Sequence, residues 1–354
     1  MIGRRRMLSG AVMAGVAGLT PLTLRAARPD APDWQRWKAR FLRPEGRVVD
    51  ALQGEASHSE GQAYGLLLAQ AQGDHEAFER IEAWTRDHLL VRGNSLMGWR
   101  WQPQAQPAVP DARTATDGDL IRGWALLRAA RDSGRGWHRE AAVRIARDLS
   151  IHALTGDPRA PAEPLLMPRA APEGLAPPEE GVLVNPSYYL SRALRELGEA
   201  AGLPVLIRAA DHGESLLAEL AGQGRLPDWT RVTVTGAGPA PGYHWHLGYD
   251  ALRIPLYLLW SGRGGHPAVA RARALFAQVA GDLPAGHVPV RLDEAGRLSE
   301  TSDYAGYRAL WLPLLDGPQR AALGPLRDGA GGDGQPYYPA TLDLLATVAA
   351  RETG

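Results

Sequence analysis

The chain has 354 residues, with 39 Lys plus Arg against 39 Asp plus Glu and no cysteine. Balanced charge argues against a phosphate-tracking surface or a polybasic membrane patch, so nucleic acid is not an expected partner. Without thiols there is neither a disulfide nor a thiolate metal centre, and the length is ample for a large core in one domain or two.

In chain order, residues 1–28 read as an export signal. Arg4-Arg5-Arg6 precedes a modestly apolar, Gly/Ala-rich run from Met7 to Leu24, then Ala26-Ala27. The run contains Pro21 and is short for a membrane span, and Arg4-Arg5 before Met7-Leu8 resembles a twin-arginine signal. The remainder, 29–354, is expected to be a single domain. It alternates apolar helical patterns with Gly/Pro punctuation. Helices are predicted over 33–41, 60–72, 76–90, 117–132, 137–152, 187–200, 204–221, 250–260, 267–280, 301–315, 318–327 and 338–351. Twelve helices in sequential pairs suit a toroid of six hairpins, although other helical arrays have the same count. Two intervals break the pattern. Residues 155–181, rich in Pro, Ala and Glu, read as a long surface loop. Within 224–248, Arg231-Val232-Thr233-Val234-Thr235 is β-prone and predicts a small hairpin.

Three acids stand at the entrances of apolar helices. In His58-Ser59-Glu60-Gly61-Gln62-Ala63-Tyr64-Gly65, Ser59 followed by Gln62 fits a capping box, which makes Glu60 the first helical residue. In Thr114-Ala115-Thr116-Asp117-Gly118-Asp119, Thr116 reads as the cap, Asp117 as the first helical residue and Asp119 as the capping-box acid rather than a catalyst. Gly248-Tyr249-Asp250-Ala251-Leu252-Arg253 again sets a carboxylate before an apolar run. Singly, each acid reads as a complement to a helix dipole. Together they suggest a cleft lined by helix N-termini, and two opposed carboxylates are what glycoside hydrolysis requires.

Ser59 to Gly65, Ala115-Thr116-Asp117-Gly118-Asp119, Asn185-Pro186-Ser187-Tyr188 and Tyr249-Asp250-Ala251-Leu252-Arg253 resemble, in this order, the motifs of glycoside hydrolase family 8. The likeness is nearest to the periplasmic cellulases of bacterial cellulose-synthase operons. It implies an all-α (α/α)6 toroid, with room for the β-hairpin as an insertion. It further implies endo-acting hydrolysis of β-1,4-glucan with inversion. Glu60 would be the general acid, Asp250 the general base and Asp117 a holder of the distorted sugar. Tyr188 would lie near the base and its water. Chitosan, xylan or mixed-linkage glucan remain alternative substrates, and a non-catalytic glucan-binding protein is an alternative class, against which the retention of all three acids argues. The resemblance also implies a periplasmic or secreted monomer with a glucan substrate and a cellulose synthase complex as candidate partner.

Physical reading adds detail to those roles. A helix N-terminus alone would make Glu60 too acidic for an acid catalyst, so burial and an ionised Asp117 are expected to raise it. Arg253, one turn beyond Asp250, would keep the base ionised and oriented. Eleven Trp stand against 3 Phe. Trp99 and Trp101, in a Gly/polar loop with same-side spacing if extended, are candidate sugar platforms together with Tyr64. Trp124, Trp260 and Trp311 lie in apolar helical patterns and read as core. His244 and His246 flank Trp245, but a metal site would need further ligands. The required chemistry calls for no metal and no cofactor.

Overall fold

Each predicted helical segment forms a helix in the computed structural model, which describes residues 31–170, 180–326 and 331–353. The expected leader, 1–28, lies outside these residues. The helices are α1 (Pro32–Phe41), α2 (Ser59–Gln72), α3 (His75–Leu89), α4 (Thr116–Ser133), α5 (Gly136–His152) and α6 (Ser191–Ala201). They continue with α7 (Pro204–Gly222), α8 (Arg253–Trp260), α9 (Pro267–Val279), α10 (Ala305–Trp311), α11 (Gly317–Leu323) and α12 (Tyr337–Thr353).

The even-numbered helices form a closed inner ring. α2 packs on α4, α4 on α6, α6 on α8, α8 on α10, α10 on α12, and α12 back on α2. The outer layer sets α3, α5, α7 and α9 against their inner predecessors and α1 against α12. This is the (α/α)6 toroid. Apolar patterning decides which helix goes where. α2 buries Ala63, Tyr64, Leu66, Leu67, Leu68 and Ala69, which covers most of its circumference, as an inner helix must. α3 buries Ala77, Phe78, Ile81 and Trp84 and turns Arg80 and Arg86 outward, the one-sided stripe of an outer helix. Gly73, at φ 70° after α2, ends that helix in the left-handed conformation that favours glycine. Trp124, Trp260 and Trp311 are core residues, as expected.

The non-helical intervals hold more pairing than the sequence suggests. The first part of the expected loop 155–181 is a hairpin, β3 (Leu154–Asp157) antiparallel to β4 (Ala160–Leu166), with residues 171–179 outside the described set. Asp157 closes the turn by accepting the Arg159 N–H and gripping its guanidinium. The expected hairpin is present as β6 (Thr230–Thr233) and β7 (Gly236–Gly238), joined by β5 (Val182–Val184) as a third strand. An unforeseen hairpin, β8 (Val288–Leu292) with β9 (Leu298–Ser302), takes the first residues of the helix predicted over 301–315. The segment 187–200 also begins differently, as a 3-10 turn, Pro186–Tyr188, before α6.

Candidate active site

The entrances of the inner helices converge on a cleft of about 560 Å3, lined by Glu60, Asp250, Tyr304, Tyr307, Tyr337 and Tyr338 among others. Two helix entrances are built differently from expectation. α2 begins at Ser59 with His58 as its cap and no capping side chain, and α4 begins at Thr116 with Ala115 in that place. The side chains assigned to capping boxes are engaged elsewhere. Gln62 Oε1 accepts the Val48 N–H at 2.5 Å, and its amide donates to Thr85 at 2.9 Å. Asp119 Oδ1 accepts the Met97 N–H at 2.8 Å. What brings the two helices together is Gly118: a Cβ there would lie 2.8 Å from the Glu60 nitrogen, and equally close to the Ser59 carbonyl carbon and hydroxyl. Backbone contact in place of a side chain sets Glu60 beside Asp117.

Arg253 joins the acids. Its buried guanidinium places Nη1 2.6 Å from Glu60 and 3.5 Å from Asp117, and Nη2 2.6 Å from Asp250. A planar fork with fixed donors holds carboxylates at set directions, which a lysine could not do. The fork is itself fixed from below, donating to Tyr64 Oη at 3.0 Å and to Ser187 Oγ at 2.8 Å. The other oxygen of Asp250 accepts from Asn185 Nδ2 at 3.0 Å, and Asn185 is oriented in turn by Ser187.

Protonation departs from the sequence expectation. Burial pushes Glu60 up, but the charge of Arg253 and hydrogen bonds with Asp117 and Arg253 outweigh it and hold Glu60 below its usual value. Asp117 is raised well above the carboxylate range by burial and then by the charge on Glu60. Like-charge repulsion operates as expected, but Arg253 stands nearer Glu60, so the upward shift falls on Asp117. Burial also raises Asp250, against the pull of Arg253 and with a contribution from the charge on Glu60. A base whose pKa rises toward the working pH becomes a better proton acceptor.

The remaining candidates separate. Tyr188 lies beside the site, its ring 5.9 Å from the Arg253 guanidinium carbon. Tyr64, expected to be a sugar platform, is fully buried beneath Arg253 and hydrogen-bonds Tyr257 at 2.7 Å; α2 turns it into the ring. Trp99 stacks on His58, which lines the cleft, and its indole donates to Asp111. Trp101 is not brought to the cleft: its ring packs edge-on against Trp84, beside Leu89 and Met97. His246 is engaged by Arg225, and no group of three or more metal-ligating side chains occurs among the described residues.

Sequence reasoning passed over several participants. Tyr338 lines the cleft and donates to the Tyr249 carbonyl at 2.9 Å, while Tyr249 donates to Glu300. Asp228 Oδ1 accepts the Ala251 N–H at 2.8 Å and pins the turn that carries Asp250; burial and the charge of Asp250 push its pKa up to about 7. Pro336 before a Tyr-Tyr pair at a helix entrance was the available signal for Tyr338. Asp228 had none.

Comparisons with known proteins agree with this fold. The family model described as Glycosyl hydrolases family 8 matches residues 17–352. A probable endoglucanase of Novacetimonas hansenii is 34% identical over 353 residues, covering 96% of this chain and 98% of that protein. Among solved structures, the endo-beta-1,4-glucanase CMCax of Acetobacter xylinum superposes with a TM-score of 0.75 at 30% identity, covering 91% of this chain and 97% of that one. The endoglucanase Cel10 of Klebsiella pneumoniae, a family 8 glycosyl hydrolase, superposes with a TM-score of 0.77 at 28% identity, covering 92% and 100%. With four motif segments in order, a closed ring of six inner helices and a match spanning nearly the whole length, the chain belongs to glycosyl hydrolases family 8.

Proposed function

We propose that the protein is an endo-acting β-1,4-glucanase that inverts the anomeric centre, with Glu60 as general acid and Asp250 as general base. The observation that carries this reading is the Arg253 fork, which holds Glu60 on one nitrogen and Asp250 on the other, each at 2.6 Å, at the floor of an open aromatic cleft. The proton held between Asp117 and Glu60 passes through Glu60 to the leaving oxygen, and Asp250 draws a proton from water on the opposite sugar face. Inversion leaves room for that water, with the carboxyl groups about 6.5–9.5 Å apart. Asp117 holds the sugar at the cleavage point, Tyr188 borders the water, and Trp99 extends the cleft. Endoglucanase relatives support β-1,4-glucan over chitosan, xylan or mixed-linkage glucan. Export by the segment 1–28, a periplasmic or secreted site of action, work as a monomer, and company with a cellulose synthase complex rest on the sequence resemblance. No helix among the described residues is long and apolar enough to cross a membrane.

The test is hydrolysis of soluble β-glucans followed by proton NMR and viscometry. A β-1,4-glucan should lose viscosity faster than it gains reducing ends, and the α-anomer should form first. A β-anomer forming first would remove Asp250 from the role of water-activating base. Release of single glucose units alone would remove the endo-acting cleft.

A further inference from the structure

Away from the cleft, the end of α7, the loop before Asp250 and helix α9 enclose a second cavity of about 290 Å3, whose polar lining is Gln223, Arg225, His246, Arg271 and Gln278. Its chemistry is one-sided, because no carboxylate lines it. Arg225 Nη1 donates to His246 Nδ1 at 2.9 Å. A ring nitrogen that accepts leaves the proton on Nε2, so His246 offers a further N–H. Burial first, then the charges of Arg225 and His244, keep this histidine below its usual pKa and therefore neutral at pH 7. Arg271 has its Nε–H buried with no hydrogen-bond partner. Its guanidinium lies over Gly224, where even a Cβ would come within 3.7 Å of Nη2. Arg225 and Arg271 line the same cavity, and after burial the charge of Arg225 is what lowers the Arg271 pKa. Asp293 and Glu294 act on His246 only through their charge, and Asp293 is occupied by Arg297 at 2.8 Å.

Two guanidinium forks repelling each other over a cavity without an acid are an arrangement that an anion relieves. Fixed planar donors match the oxygens of a phosphoryl group two at a time. We propose that this cavity binds a phosphoryl oxyanion, gripped by Arg225 and Arg271 with the His246 Nε2–H as an additional donor. The cavity exceeds the volume of the oxyanion alone, so the source is either free inorganic phosphate or a small phosphomonoester whose organic part fills the remainder.

The full chain would be titrated with inorganic phosphate and separately with glycerol 3-phosphate, against sodium chloride at matched ionic strength, which removes general screening. Binding would be read as phosphorus NMR line broadening and as a rise in Tm. Both readouts should saturate for wild type and for Arg208→Gln, an exposed control at the far end of α7, and should weaken by about tenfold or more in Arg225→Gln and Arg271→Gln, which lose charge-assisted donors. Arg271→Lys keeps the charge and the fold but loses the fork, and should fall between. Tighter binding of glycerol 3-phosphate identifies the phosphomonoester, and equal binding identifies free phosphate. Broadening that does not saturate, or that is the same in wild type, Arg271→Lys and Arg271→Gln, would overturn the site.

Discussion

Gly118 and Glu60 meet backbone to backbone: the absent Cβ of one would stand 2.8 Å from the nitrogen of the other. Gly118→Ala should therefore behave against helix propensity. Alanine favours a helix interior over glycine by about 1 kcal/mol, but overpacking at this contact costs about 1–3 kcal/mol. A lower Tm is expected, with kcat reduced by up to about 10²-fold as Glu60 and Asp117 are displaced. A stabilised and fully active Gly118→Ala enzyme would contradict the contact.

Glu60→Gln and Asp250→Asn should each lower kcat by about 10²–10⁴-fold, the usual worth of a positioned acid or base. Both changes are isosteric, so calorimetry should find the fold retained. Near wild-type turnover in either purified variant would exclude that residue from its role.

Arg253→Met removes the cation shared by three carboxylates and should cost about 3–5 kcal/mol, the price of an uncompensated buried charge. Without the guanidinium, burial raises Glu60 and Asp250 above their unfolded values. The folded variant then binds more protons than the unfolded chain, and its stability falls as pH rises. Its Tm deficit against wild type should thus be smaller at pH 5 than at pH 8. A deficit that does not vary with pH would show that Arg253 acts by packing alone.

Asp119 offers a cleaner titration. Burial pushes its pKa up to about 7, against the pull of its Met97 hydrogen bond. Between its unfolded value of 3.8 and about 7 the folded form keeps the proton that the unfolded chain releases, and wild type loses stability as pH rises through that window. Asp119→Asn retains an acceptor for Met97 and has no such loss. Its stability relative to wild type should improve by about 1.4 kcal/mol per pH unit across the window. Equal differences at pH 4.5 and pH 7.5 would show that Asp119 is ionised throughout.

The paired tryptophans should respond differently. Trp99→Ala should raise KM for long glucans by about two- to tenfold, equivalent to losing one aromatic contact of about 0.5–1.5 kcal/mol, with little change in Tm. Trp101→Ala opens a void beside Trp84 and should lower Tm while KM stays near wild type. Identical kinetic and thermal effects would remove the distinction drawn between the two rings.

The helices were readable because each carries its own apolar period, and the four motif segments located Glu60, Asp117, Asp250 and Arg253 before any contact was known. The misreadings share a cause. Gln62 and Asp119 have the spacing of capping residues, yet their partners, Val48, Thr85 and Met97, are contributed by other segments. Spacing also suggested that Trp99 and Trp101 share a side, but Trp84 draws the second ring into a small core of its own. Which acid of the pair is raised depended on Arg253 being 2.6 Å from one and 3.5 Å from the other, a difference no sequence pattern encodes. β8 and β9 were missed because their register shifts on either side of Arg291, which breaks the alternation a strand pair would show.

Trp37 Nε1 reaches Thr341 Oγ1 across 304 positions of sequence, and α12, the final 17-residue helix, brings Tyr337 and Tyr338 to the cleft. Such a contact cannot form before the last helix has been made, and non-local pairings of this kind slow folding. A chain delivered from its N-terminus carries Glu60, Asp117, Asp250 and Arg253 before Tyr337 and Tyr338 are present. The order of residues thus separates the two halves of the cleft in time: the acids are in hand before the aromatic side chains that α12 supplies.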